Sequence, residues 1–375
     1  MSEILRNPYR PFFLVGTFAA ALGVCVWIPF GLGWWDLYPG TLHAQTMMGL
    51  FLNCFVSGFL MTAIPRMSGT RLADPRELRL QALGLSVVAA VVLSPLPASA
   101  FFAASVLSLG ILLRFCGRRI VQRTSALPEI FAFVLFGLLS GVGGALLSLA
   151  GQEILGARLF YLNFVLCLVL GIGMRLVPVL LRLEPKKTPL RTTETLGLAA
   201  LLTACCFLET FHSPIAGVAL RALVGSWIIG VRWRVFRRAG DGAGLRWGVR
   251  IAALSMLAGL WFEVASPEHR LEWIHLVYVS GFSLMTIMVA SRVILAHGGH
   301  DLGSEVGNWH VRLPVFLFLL AGATRAAAPF ISGEYERHLA YAALVYLLAL
   351  GVWARFFLPR IFPREATPST VSNFR

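Results

Sequence analysis

The sequence predicts an all-α fold, a single polytopic membrane domain spanning residues 1–375 with about twelve transmembrane helices. Three observations carry that reading. Hydrophobic residues make up 57% of the 375 residues and charged residues only 13%, with a mean hydropathy of +0.76. No soluble core of this length hides that much apolar surface, whereas a bilayer solvates it. Apolar runs of roughly 20 residues, the length that spans a hydrocarbon core, recur from residue 11 to residue 358. The basic residues between those runs also fall almost entirely on one side of the map they define.

The first run, 11–30, follows Arg6 and Arg10 and so looks like a signal peptide. It is long enough to span and ends in no cleavage site, and reads as a retained helix. The second, 42–64, opens beside a histidine and closes on Pro65 and Arg66. Runs at 78–95 and 98–116 are divided by Pro95 and Pro97, which punctuate a helix boundary. The remaining runs lie at 128–150, 157–181, 194–211, 214–236, 247–264, 271–294, 312–331 and 338–358. Only helices and closed barrels satisfy their backbone in lipid, and these runs are too long and too uniformly apolar for barrel strands.

Charge tests the map independently. With the N-terminus inside, the outer segments hold Arg158, Arg221, Arg270, Arg325 and Arg337, leaving 27 of the 32 Lys and Arg on the inner side. That asymmetry is the positive-inside pattern, and one missed helix would scramble it. It points to a bacterial inner membrane with both termini cytoplasmic. The net charge of +14 is spread through short loops without interleaved aromatics, so lipid, and not nucleic acid, is the implied partner. Protein partners are not named by any feature of the sequence. Six cysteines, mostly inside apolar runs, form no CxxC or Cys/His cluster and imply no disulfide framework or zinc site.

An internal echo links three of the helices. Ser57-Gly58-Phe59-Leu60-Met61-Thr62 in the second run returns as Ser280-Gly281-Phe282-Ser283-Leu284-Met285-Thr286 in the tenth, and the sixth ends on Gly173-Met174-Arg175-Leu176-Val177-Pro178. The spacing of four is that of three four-helix units. Coincidence among common membrane residues is the competing explanation.

Candidate chemistry centres on histidine. His43 and His275 sit near the outer ends of the second and tenth runs, where an ionisable side chain needs a reason to be. Neutral imidazoles on facing helices can ligate iron or copper, and two of them can hold a haem. An interfacial histidine satisfied by a neighbouring helix or water is the plainer alternative. Met47, four residues from His43 and on the same face, offers a thioether suited to Cu(I), although a methionine there is more often packing. His297, in the inner His297-Gly298-Gly299-His300-Asp301 stretch, is either a ligand or part of a solvated loop. Arg66, Arg175 and Arg292 end their helices on the inner side, as anchors for anionic groups such as propionates or as ordinary positive-inside charge. No Walker loop, GxSxG or HExxH occurs, which removes the usual signatures of nucleotide hydrolysis, serine hydrolysis and zinc proteolysis. Glu129, Glu209 and Glu263 lie near helix ends and no carboxylate lies mid-membrane, against a proton-coupled transporter.

In these segments the chain resembles the NnrS family of bacterial membrane proteins. The matching pieces are Arg10-Pro11-Phe12-Phe13, His43-Ala44, Gly58 to Pro65 with Ser68-Gly69, Gly173 to Pro178, and His275 with Gly281, Met285, Arg292 and His297-Gly298. The resemblance implies a haem- and copper-containing protein linked to nitric oxide metabolism and nitrosative stress, as in denitrifiers. It also implies that His43, His275 and His297 are metal or haem ligands. One departure stands out: where the family carries a second histidine two residues after the first, followed by Glu, this chain has Gln45 and Thr46. A looser likeness to the catalytic subunit of haem-copper oxidases extends to twelve helices and to histidines on helices 2 and 10. The sixth run, however, offers no histidine for a binuclear centre. A turnover enzyme is not favoured, since no open metal site with a proton donor can be assembled. The alternatives are a cofactor-free carrier for a small solute, with helices broken at Pro65 and Pro178, or a scaffold that has lost its metals.

Overall fold

The computed structural model describes residues 7–126, 128–184, 191–237, 244–305 and 307–362. Arg6, Lys186 and Lys187, which contribute to the charge count, lie outside them. Among the described residues every regular element is helical. Twelve long helices run in chain order: α1 (Tyr9–Gly31), α2 (Gly40–Ser68), α3 (Pro75–Val92), α4 (Ala98–Val121), α5 (Phe131–Leu149), α6 (Glu153–Leu180), α7 (Thr192–Phe211), α8 (Pro214–Arg232), α9 (Leu245–Ala265), α10 (Pro267–His297), α11 (Trp309–Phe330) and α12 (Tyr335–Ile361). All but α3 are long and apolar enough to cross a membrane.

Helix α3 is marked out by Arg76, Glu77 and Arg79 in its first turns, yet it must cross. Ser68, at the end of α2, accepts at its carbonyl from the Thr124 amide just beyond α4, at 3.0 Å, so α2 and α4 finish at one level. Glu77 at the start of α3 pairs with Arg119 near the end of α4 at 2.6 Å, and α4 began at the other level. The chain therefore makes twelve passes. The α3 start is set three residues before the apolar run by a capping box. Asp74 Oδ1 accepts from the Arg76 and Glu77 amides while Glu77 reaches back to the Asp74 amide, with Pro75 at the first helical position. Elsewhere too the helices run past the apolar runs. α6 starts at Glu153 and α10 at Pro267, and the arginines in their early turns, Arg158 and Arg270, find partners inside the protein.

Sequential helices pack as neighbours, and α12 packs on α1, closing the bundle. The three helices of the echo share a distinctive build. In α2, α6 and α10 a short α-helical start leads into a π-helical stretch, Thr46–Leu52, Arg158–Asn163 and Leu276–Ser283, and then a long α-helix. Each π stretch admits extra backbone, so the side chains beyond it are turned by about 100° per added residue. The helices run through Pro65 and Pro178 without ending there; the irregularity lies in the π stretches. Small residues let the helices approach. A Cβ on Gly173 of α6 would sit 2.1 Å from the Trp233 ring, and one on Gly281 of α10 2.4 Å from Met256. Polar links tie each of these helices to its own unit. Asn53 of α2 donates to Ser108 of α4 at 3.2 Å, Asn163 of α6 to Ser140 of α5 at 2.8 Å, and Ser280 of α10 to the Phe318 carbonyl of α11 at 3.0 Å. The common build and equivalent links agree with three four-helix units.

Candidate functional site

The first turns and π stretches of α2, α6 and α10 converge on a cavity of about 570 Å³ at the end of the bundle where even-numbered helices begin. α2 contributes His43, Met47 and Met48, α6 contributes Arg158 and Tyr161, and α10 contributes Arg270, His275 and Tyr278. α1, α11 and α12 complete the wall.

His43 is positioned by a close approach. Gly23 of α1 has no Cβ, and one placed there would lie 2.9 Å from Met47 Sδ, so α1 and α2 touch at this level. The Gly23 carbonyl stands 2.7 Å from His43 Nδ1, and the Trp27 ring meets the imidazole edge-on at 5.4 Å. His275 places Nδ1 2.5 Å from the carbonyl of Leu271, one turn earlier, with the Tyr278 ring against it at 6.0 Å. In both, Nδ1–H donates to a carbonyl, which fixes the tautomer and leaves Nε2 as the lone-pair donor. Arg325 of α11 also lines the cavity and acts through space on both imidazoles. Gln45, opposite His43 on the helix, does not line the cavity, and Thr46 is buried with its hydroxyl on the Leu42 carbonyl at 2.7 Å. The departure from the family pattern therefore takes no donor from this wall.

Behind the cavity lies a charge network. Glu209 of α7 pairs with Arg221 of α8 at 2.6 Å, with Arg158 at 2.9 Å and with Arg270. Glu263 of α9 pairs with Arg221 at 3.3 Å and with Arg270 at 3.2 Å. Arg221, Glu209 and Glu263 side chains are fully buried. Of the five arginines that break the positive-inside pattern, three build this network and a fourth, Arg325, faces the cavity beside it. Only Arg337 is an ordinary surface charge, paired with Glu334 at 2.9 Å. That minority of outer arginines was the available signal, and reading it as loop charge missed it.

The remaining sequence candidates are elsewhere. Arg66, Arg175, Arg292 and His297 lie at the opposite end of α2, α6 and α10 and line no part of the cavity. Arg66 donates to the Thr62 carbonyl of its own helix at 2.6 Å. Arg175 is exposed, and His297 is exposed with its ring 6.0 Å from Tyr9. Below the cavity, sharing Leu52 with it, a slot of about 80 Å³ runs between α1, α2, α6 and α10, walled by Phe13, Phe55, Phe59, Leu168, Ile172 and Val289 among others. Among the described residues no three His, Cys, Asp or Glu side chains gather into a metal cage.

A family model described as NnrS protein matches residues 3–364. The chain belongs to the NnrS family. No curated protein matched it. The match runs through all twelve helices, so both ends of the bundle, the cavity and the network belong to the NnrS-matched part of the chain.

Proposed function

We propose that this NnrS-family chain is a haem-binding membrane protein acting in nitric oxide metabolism or the response to nitrosative stress, in which His43 and His275 would hold the haem iron. One observation carries the reading: two imidazoles from α2 and α10 line a single cavity, each with Nδ1 committed to a carbonyl and Nε2 left to bind. Two such donors without a third suit a metal already held in a macrocycle better than a bare ion that needs three or four protein ligands. A volume of about 570 Å³ falls inside the roughly 300–1,000 Å³ of small-molecule sites. Haem bound there would supply an iron whose behaviour toward diatomic gases is set by its axial ligands and pocket. The chain's own residues orient the imidazoles, wall the site with Trp27 and Tyr278, and hold cations at its rim. Met47 on the same wall supports copper as a second metal, since Cu(I) takes thioether and imidazole together. In this reading the basic loops are cytoplasmic, both termini lie in the cytoplasm of a bacterial inner membrane, and the cavity opens toward the outer face.

The test is a reduced-minus-oxidised spectrum and a pyridine haemochrome assay on protein purified in detergent from haem-replete cells. Stoichiometric haem is expected, and its loss from His43→Ala and His275→Ala variants that keep their helical signal. A folded but colourless wild type would refute the proposal. The arginines lining the cavity favour one second reading, a carrier for a small anionic solute, which flux measured in liposomes would detect. A colourless protein without flux would leave a scaffold.

A further inference from the structure

We infer that Arg325 and Arg270 form a carboxylate anchor in the histidine cavity, taking the acid side chains of the ligand whose metal the histidines hold. This rests on the haem reading for the identity of the ligand, and on the arginines for the chemistry. In the ion pairs beside the cavity, four arginines, Arg158, Arg221, Arg270 and Arg325, face three glutamates, Glu209, Glu263 and Glu272. The excess is not spread evenly. Arg221 lies between two glutamates, and Arg158 is committed to Glu209 and to the Thr210 hydroxyl at 2.6 Å. Arg325 is nine-tenths buried, yet among the described residues its Nη1 makes no hydrogen bond, with Glu272 4.0 Å away, and its Nη2 reaches the Tyr335 hydroxyl at 3.5 Å. Arg270 uses Nε and Nη2 on the two glutamates, which leaves Nη1 for a ligand, and it too lines the cavity.

A buried guanidinium with an idle donor is costly unless something anionic completes it, and its planar fork matches a carboxylate. Both arginines share the cavity wall with the histidines. Arg270 lies five residues before His275, and Arg325 acts on both imidazoles. A ligand with a central metal and peripheral acids would engage the two sets together. Arg66, Arg175 and Arg292, at the far end, cannot serve that ligand.

The experiment uses metal-free protoporphyrin IX and its dimethyl ester, titrated into the detergent-purified full chain and followed by tryptophan quenching. Without iron, the histidines contribute no metal bond, so the acid-to-ester difference isolates the anchor. The acid should bind about tenfold or more tighter than the ester, as expected for a charged hydrogen bond. Arg325→Gln or Arg270→Gln should shrink that ratio to about threefold or less while leaving ester affinity unchanged, which also reports an intact cavity. Equal binding of acid and ester by the wild type, no binding of either, or equal weakening of both by Arg325→Gln would overturn the anchor. Displacement of the acid by dodecanoate but not by dodecanol would keep the anchor and assign it to a fatty acid. Failure of the haem reading looks different: haem would then bind no tighter than metal-free porphyrin, and His43→Ala would change neither.

Discussion

Replacing Glu209 by glutamine removes the anion shared by three arginines, and the expected loss can be worked from the geometry. The Arg221 and Glu209 side chains have no solvent exposure and meet at 2.6 Å; stripping one partner from such a pair costs about 3–5 kcal/mol. Arg158 and Arg270 side chains are 16% and 34% exposed, so each adds roughly 0–1 kcal/mol. Glu263, 3.3 Å from Arg221, offsets part of the loss, leaving about 3–5 kcal/mol overall. In an Arg221→Met background the same change should cost only about 1–2 kcal/mol, a coupling of about 2–3 kcal/mol. Reversible unfolding by SDS in mixed micelles, followed by tryptophan fluorescence, measures all four corners of this cycle. A loss below 1 kcal/mol, or the same loss in both backgrounds, would show that the buried pair is not formed as described and refute the reasoning.

Gly173→Ala should cost about 1–3 kcal/mol, because its methyl would lie 2.1 Å from the Trp233 ring, whose Nε1 donates to the Leu170 carbonyl at 3.1 Å. A second change, Trp233→Leu, should recover part of that loss in the same unfolding assay. Asn53→Leu removes the acceptor of the Ser57 hydroxyl and one donor to Ser108 and should lower stability by about 1–3 kcal/mol; making Gln81, which donates to the Ser57 hydroxyl at 2.9 Å, apolar as well should lower it further, since it takes the last partner from that hydroxyl. Asp74→Ala should cost about 0.5–2 kcal/mol as a lost helix cap. The Glu77 amide, and then the Arg71 guanidinium, hold the Asp74 carboxyl below the usual range. Its contribution is therefore complete above the ordinary value of about 3.9 and lost as pH falls through the lower folded one. The gap in melting temperature between wild type and Asp74→Ala should narrow only in that acid range; a gap already closed near neutrality would count against the cap.

The twelve passes were legible because a spanning helix writes itself as hydropathy and its orientation as loop charge. The same signal misplaced helix starts where charge entered the protein, as at Arg158 and Arg270. Spacing between the echoing motifs pointed to α2, α6 and α10, and depth pointed to His43 and His275. Tertiary structure then supplied what no local pattern encodes. The π stretches have no residue signature here, and the partners of Arg158, Arg221 and Arg270 are glutamates on other helices, Glu209 on α7 and Glu263 on α9, which only the packing brings to them. Arg66, Arg175 and Arg292 drew notice because they ended motifs, while Arg325, near the end of α11 and outside any echoed motif, did not.

The apolar slot below the cavity has a bearing on bioenergetics. Charged side chains in the middle of a helical bundle invite a leak, since water that reaches them from one face needs only a continuation to reach the other. Here the continuation is about 80 Å³ walled by phenylalanine and aliphatic side chains, a constriction of the sort that stays dewetted. An ion entering it would shed its hydration with only the Thr286 hydroxyl among the lining side chains in exchange, a penalty of several kcal/mol. The upper half of the molecule can thus be polar and accommodating while the apolar lower half resists the passage of ions through the bundle.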